Sequence, residues 1–266
     1  MSEQNLSVLF NTLEQARKTK EINGIFKISE LTMSQQRELL VTVFDPLETP
    51  AKLSNAFNKI IRDCTEIISK DKKEFTLLDK APLLRELRDL SIGDTFIKTI
   101  TDDEGNEEKI EYKFTKVDYK KIDKIKPERE LKINDAVKII LSVPTVDYDI
   151  MMNNALLKAI STYKRNTEQK RESLDRGYIT SLYLMYEILK YINRIYINDI
   201  EYIFNKLSAN EQLRVINNLP QEFSNKITDF IQTIKNVEDI AFTAINLKTK
   251  EEEQIGLEYN IFSKEL

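Results

Sequence analysis

The 266-residue chain carries 40 basic and 44 acidic side chains, a formal charge of −4, 41% hydrophobic residues, one cysteine, no histidine and no tryptophan. Without imidazole and with a single thiol it can form no histidine-based zinc site, no Ser-His or Cys-His triad and no cysteine cluster. Near-balanced charge argues against broad capture of a nucleic-acid backbone, and no run reaches the roughly 20 apolar residues of a bilayer span.

No charged region followed by a hydrophobic core opens the chain, so the expectation is a soluble protein made where it works, in a cytoplasm. Met1 to Asn23 is polar, with Leu6, Leu9, Phe10 and Leu13 as a short helical stripe. Gly24 interrupts it, and "IFKISELT" reads as a short extended arm. A helix is expected from near Met33, carrying Leu39, Leu40, Val43 and Phe44, with Pro46 and Pro50 stopping it. The next, Ala51 to Ser69, sets Leu53, Phe57, Ile60, Ile61, Cys64 and Ile67 along one broad face. Cys64 on that stripe reads as a small core side chain.

Asp79 is expected to cap a helix with Pro82 in its first turn and Leu83, Leu84, Leu87 and Leu90 buried. Arg85, Glu86, Arg88 and Asp89 lie between those leucines, either as a solvated face or as a polar rim around a protein contact. Gly93 suits a helix end needing positive φ.

Strand-like spacing follows. Thr95 to Ile100, Ile110 to Val117 and Ala136 to Val143 are the expected strands, with a weaker one at Arg129 to Ile133. Gly105 and Asn106 among charges mark an exposed hairpin loop. These segments predict an α+β protein with a small antiparallel or mixed central sheet flanked by N-terminal and C-terminal helical regions. The corresponding division is 1–93 for the arm and first helices, 94–146 for the small β region and 147–266 for the second helical region and tail.

After Pro144 the pattern turns helical near Asp149, then "STYKRNTEQKRESLDRG" runs with little apolar content and reads as a flexible or order-on-assembly segment. Its Lys164, Arg165, Lys170, Arg171 and Arg176 are offset by Glu168, Glu172 and Asp175, which weakens a nucleic-acid signal. Tyr178 to Ile197 is expected as a helix so rich in Leu, Ile, Tyr and Met that it is either enclosed or presents an aromatic partner surface. Asn198 and Asp199 break it. Ser208 with Glu211 has capping-box spacing for a helix ending before Pro220, and Ser224 to Thr233 should form another. Ile255, Leu257, Tyr259 and Phe262 lie in a tail whose aromatics need cover.

Several pieces in this order resemble the baseplate hub assembly family of T4-like tailed bacteriophages: "FTLLDKAPLLRELRDLSIGD", "IEYKFTKVDY", "AVKIILSVPT", "LSANEQLRVINNLPQEF" and "IGLEYNIFS". The similarity runs from Thr19 to Phe262. Where related chains place cysteines before the terminal glycine-aromatic segment, this one has Ala244 and Asn246, so metal binding is not carried over. The resemblance implies a non-catalytic structural or assembly protein of the central baseplate, with no cofactor, meeting other hub, wedge or tail-tube proteins in the host cytoplasm and then in the virion tail. The contact residues expected on this reading are Arg85, Arg88, Asp94, Tyr183, Tyr186, Tyr191 and Tyr259, the tyrosines reading equally as core. The alternatives are a transient assembly chaperone and a carboxylate-dependent nucleic-acid enzyme.

Overall fold

The structure is a computed structural model and describes residues 12–43, 49–101, 105–166, 172–255 and 262. Helices and strands are interspersed along the chain: β1 (Thr19–Ile22), β2 (Phe26–Ser29), α1 (Met33–Val43), α2 (Pro50–Cys64), β3 (Thr65–Ile67), α3 (Leu77–Ser91), β4 (Thr95–Thr101), β5 (Glu107–Phe114) and the short α4 (Tyr119–Ile122). Then come β6 (Glu128–Lys132), β7 (Val137–Ser142), α5 (Val146–Asn166), α6 (Glu172–Tyr191), β8 (Ile192–Ile197), β9 (Ile200–Ile203), a 3-10 turn at Phe204–Lys206, α7 (Ala209–Asn217), α8 (Gln221–Ala241), β10 (Thr243–Asn246) and β11 (Glu252–Gln254). The class is α+β, as the sequence predicts.

The strands form three antiparallel sheets among the described residues, ordered β1-β2-β3, β11-β10-β5-β4 and β6-β7-β8-β9. The expected single central sheet is therefore split. Thr95–Thr101 and Glu107–Phe114 do pair as a hairpin, from Thr95 opposite Lys113 to Thr101 opposite Glu107. The strand at Val137–Ser142 joins neither of them; it pairs with Glu128–Lys132 and Ile192–Ile197. Period-two patterning fixes which face a side chain takes, but not which strand lies alongside.

Two helical expectations end early, for a shared reason. The helix expected to Ser69 stops at Cys64, and the one expected to Ile197 stops at Tyr191. Thr65–Ile67 and Ile192–Ile197 are short β-branched runs that continue an apolar stripe in sequence yet pair as strands once a neighbour is in reach. At the N-terminus Thr19–Ile22 is likewise a strand, turned back on β2 through Asn23 and Gly24, both at positive φ. Leu13 is exposed, and Leu6, Leu9 and Phe10 lie outside the described residues.

The segment expected to be flexible is largely helical where described: α5 runs through 166 and α6 begins at 172. Its Lys, Arg, Glu and Gln content is low in hydrophobicity but high in helix propensity, so neighbouring packed turns extend into it. Helix α3 begins at Leu77 and is capped by Thr76, not by Asp79; the Thr76 backbone N–H donates to Asp79 Oδ2 at 2.8 Å in a capping box. Pro82 consequently lies inside the helix and not in its first turn. The capping box at Ser208 and Glu211 forms as the spacing predicts.

Two large apolar clusters result. One gathers Phe57, Ile61, Cys64, Leu83, Leu84, Leu87, Phe96, Tyr112, Phe114 and Phe242 between α2, α3, α8 and the β4-β5 sheet. The other packs Leu141, Ile188, Tyr191, Ile192 and Phe204 against Ile227, Phe230 and Ile234 of α8. Helix α8 thus serves both, with Val237 and Ala241 in the first cluster and Phe223 to Ile234 in the second. Ile255 and Phe262 of the tail are buried, Phe262 with its ring 6.3 Å from that of Phe57. Tyr259 and Leu257 lie outside the described residues.

Candidate functional site

The most chemically distinctive place in the molecule is a buried polar cluster where α2, α3, α5 and α6 meet. Asp149, in the first turn of α5, is 2% exposed and yet ionised, because donors converge on it from three other helices. Its Oδ1 lies 2.7 Å from Lys190 Nζ, and its Oδ2 accepts from Asn58 Nδ2 at 2.7 Å, Ser54 Oγ at 2.9 Å and Asn153 Nδ2 at 3.2 Å. Lys190 also donates to Asn153 Oδ1 at 2.8 Å and pairs with Glu187 at 3.1 Å. Lys80 donates to Ser54 Oγ at 2.8 Å and stands 3.9 Å from Asp149.

Burial pushes the Asp149 carboxyl up, but Lys80 and Lys190 outweigh it and hold it down at about 2. For Lys190, burial opposes the charge while Glu187 and Asp149 carry its pKa above the ordinary lysine value. Lys80 is shifted the other way, lowered mainly by burial. These groups line a cavity of about 440 Å³ together with Phe57, Leu156, Tyr183 and Ile234. Apart from Asn58 Oδ1, which is buried without a hydrogen-bond partner, the polar atoms of the cluster are engaged with one another, an arrangement that fixes helix positions.

The two arginines of α3 are enclosed, not displayed. Arg85 is 1% and Arg88 0% exposed. Arg85 stacks over the Phe114 ring at 4.4 Å, ion-pairs with Asp89 and donates to the Thr115 carbonyl at 3.3 Å. Arg88 lies 4.9 Å from the Phe114 ring centre and 5.8 Å from that of Phe96, and donates to the carbonyls of Gly93 and, at 3.1 Å, Thr95. Burial and the neighbouring Arg85 charge lower the Arg88 pKa to about 10. A planar guanidinium can cover an aromatic face and still satisfy carbonyls in its own plane, which is why this pair sits inside a core where a lysine would not. The charge pattern of α3 reads as a solvated face because sequence does not reveal that β4 and β5 cover it.

The other expected contact residues divide. Tyr191 is 1% exposed, its ring edge-on to Phe230 at 6.1 Å. Tyr183 is half-buried and lines the cavity, its hydroxyl buried without a hydrogen-bond partner. Tyr186 is also half-buried and lines a shallow groove between α5 and α6 with Tyr163 and Tyr178, whose rings stack at 4.0 Å. Asp94 is partly exposed and pairs with Lys113 at 3.2 Å. Tyr259 lies outside the described residues. Sequence reading missed the Asp149 cluster altogether, although one signal was present: Asn58 and Lys190 interrupt otherwise apolar helix faces.

Among the described residues no group of three or more His, Cys, Asp or Glu side chains is placed to hold a metal ion, and no helix is long and apolar enough to cross a membrane. Fold and site together define an α+β protein whose conspicuous polar chemistry is spent internally, on holding helices and sheets in register. Its sequence matches the family of the T4 bacteriophage base plate protein over residues 12–260, and the chain belongs to that family of phage structural proteins. Comparison with curated proteins and with solved structures finds no match.

Proposed function

We infer that the chain is a non-catalytic component or assembly protein of the central part of a contractile-tail baseplate, acting through contacts with other baseplate proteins. The observation that carries this is the family match across residues 12–260. The internal use of Arg85, Arg88, Asp149 and Lys190 agrees with it, since these groups are occupied in packing. Of the residues expected at the contact, Asp94, Tyr183 and Tyr186 retain accessible surface, and the tyrosine-lined groove of α5 and α6 is the candidate face for a neighbouring subunit.

Quantitative mass spectrometry of purified infectious particles, with known tail proteins as stoichiometric controls, tests residence. Presence at fixed stoichiometry supports a resident component. Absence from particles with detection in incomplete baseplates indicates a transient chaperone, and absence from both overturns the tail assignment. Purified protein is expected to hydrolyse neither nucleotides nor nucleic acid above a no-enzyme control, with or without magnesium or manganese; turnover abolished by substituting an acidic cluster would instead establish the enzyme.

A further inference from the structure

The cluster around Asp149 largely closes on itself, but the wall of the cavity of about 440 Å³ beside it carries two charges that do not. Lys80 of α3 lies at the floor, its side chain 13% exposed. Its ammonium has three N–H groups, of which one meets Ser54 Oγ at 2.8 Å and one the Ser54 carbonyl at 3.4 Å. Asp149, at 3.9 Å, is beyond hydrogen-bond reach, and its Oδ2 already accepts from Asn58, Ser54 and Asn153. One N–H of Lys80 is therefore left over.

Glu238 of α8 stands exposed at the mouth of the cavity, and its carboxylate enters no hydrogen bond or ion pair with a described residue. Desolvation by the surrounding wall raises its pKa, against the opposing charges of Lys80 and Lys235. Lys235 itself is committed to Glu187 at 3.1 Å. Lys80 and Glu238 thus line one space and sense each other's charge without pairing. Much of the remaining wall is apolar, with Phe57, Leu156 and Ile234 prominent in it.

These features restrict the occupant. Small-molecule sites span about 300–1,000 Å³, so a cavity near the lower end takes a small molecule and not a folded element. A bare carboxylate answers Lys80 and leaves Glu238 alone; a bare amine does the reverse. A chain segment brings neutral backbone amides and at most one charge per side chain. An anion and a cation on adjoining atoms, with an apolar remainder, answer both charges and the wall together. That is the chemistry of a free α-amino acid with an apolar side chain.

We propose that the cavity binds such an amino acid as its zwitterion, with the carboxylate on Lys80 Nζ, the ammonium on the Glu238 carboxylate and the side chain against Phe57, Leu156 and Ile234. The occupant would tie α3 to α8 and rest on α2 and α5, so binding should stabilise the fold. This inference rests on the cavity and is independent of the baseplate reading.

Calorimetric titration of the full chain with L-phenylalanine as probe should show saturable binding at millimolar concentration or below, with a melting temperature that rises with ligand. Phenylpropionate lacks the amine and phenethylamine the carboxylate, and each should bind more weakly by about tenfold or more. Glu238→Gln alters an exposed side chain that bonds to nothing in the protein, so circular dichroism should not change. It should weaken L-phenylalanine by about tenfold and leave phenylpropionate unaffected, a split that general loosening of the fold does not produce. No saturation by L-phenylalanine or L-leucine, equal affinity for phenylpropionate, or a Glu238→Gln protein that binds L-phenylalanine as before would each overturn the proposal. Tightest binding by phenethylamine would overturn it in favour of a basic side chain inserted by a protein partner.

Discussion

Lys190 Nζ lies 2.7 Å from Asp149 Oδ1, and both side chains are more than nine-tenths buried. The pair joins the start of α5 to the end of α6, and each partner's remaining hydrogen-bonding capacity is taken up by Asn58, Ser54, Asn153 and Glu187. A buried ion pair of this kind is a poor source of net stability but costly to break from one side, since the survivor is left charged and unsolvated.

Lys190→Met should accordingly destabilise the fold by about 3–5 kcal/mol, and Asp149→Asn by a similar amount. The double variant should lose less than the sum of the two. Urea unfolding of all four proteins gives the coupling; additive losses would show that the two side chains act separately.

Stability should also fall in acid in a defined window. Asp149 has a folded pKa of about 2, below the ordinary value near 4. Its contribution is present above the unfolded pKa and is lost as pH falls through 4 toward 2, amounting to about 2 kcal/mol. Asp149→Asn should flatten that part of the stability profile, measured by urea midpoints between neutral pH and acid.

Arg88→Lys should cost about 2 kcal/mol or more, despite keeping the charge. The ammonium cannot cover Phe114 while also reaching the carbonyls of Gly93 and Thr95. Thermal denaturation compared with a surface control, Lys120→Arg, checks this; equal melting temperatures would mean the guanidinium geometry is irrelevant.

The thiol of Cys64 should resist labelling. It is 3% exposed, and burial raises its pKa above the ordinary value. A maleimide reagent should modify it slowly in native buffer and rapidly after denaturation, and prompt native labelling would show that α1 and α2 open readily.

Asp199→Gly should stabilise the β8-β9 hairpin by roughly 0.5–1 kcal/mol, since Asp199 has φ 63°, where an L side chain is disfavoured. An unchanged urea midpoint would show that the aspartate tolerates this turn without strain.

Local signals in the sequence carried much of this fold. The capping box at Ser208, the core place of Cys64 and the hairpin of β4 and β5 all follow from spacing within a few residues. What escaped depends on distant chain. Ile192–Ile197 continues the apolar character of α6 and becomes a strand only because Val137–Ser142 lies beside it. Arg85 and Arg88 read as surface because nothing near them announces Phe96 and Phe114 as their cover. The Asp149 cluster draws on residues from Ser54 to Lys190, and no single segment contains enough of it to be recognised.

The pairing of β5 with β10 bears on the order in which a growing chain can acquire its structure. Tyr112 and Phe114 sit opposite Asn246 and Ala244, about 130 positions later, and β7 likewise waits for β8. A ribosome releasing the chain from its N-terminus therefore exposes the β4-β5 and β6-β7 hairpins before either has its inner neighbour. Loss of the segment from 243 to 255 would strip the β4-β5 hairpin of its adjoining strands, making late translation the step at which this half of the core becomes secure.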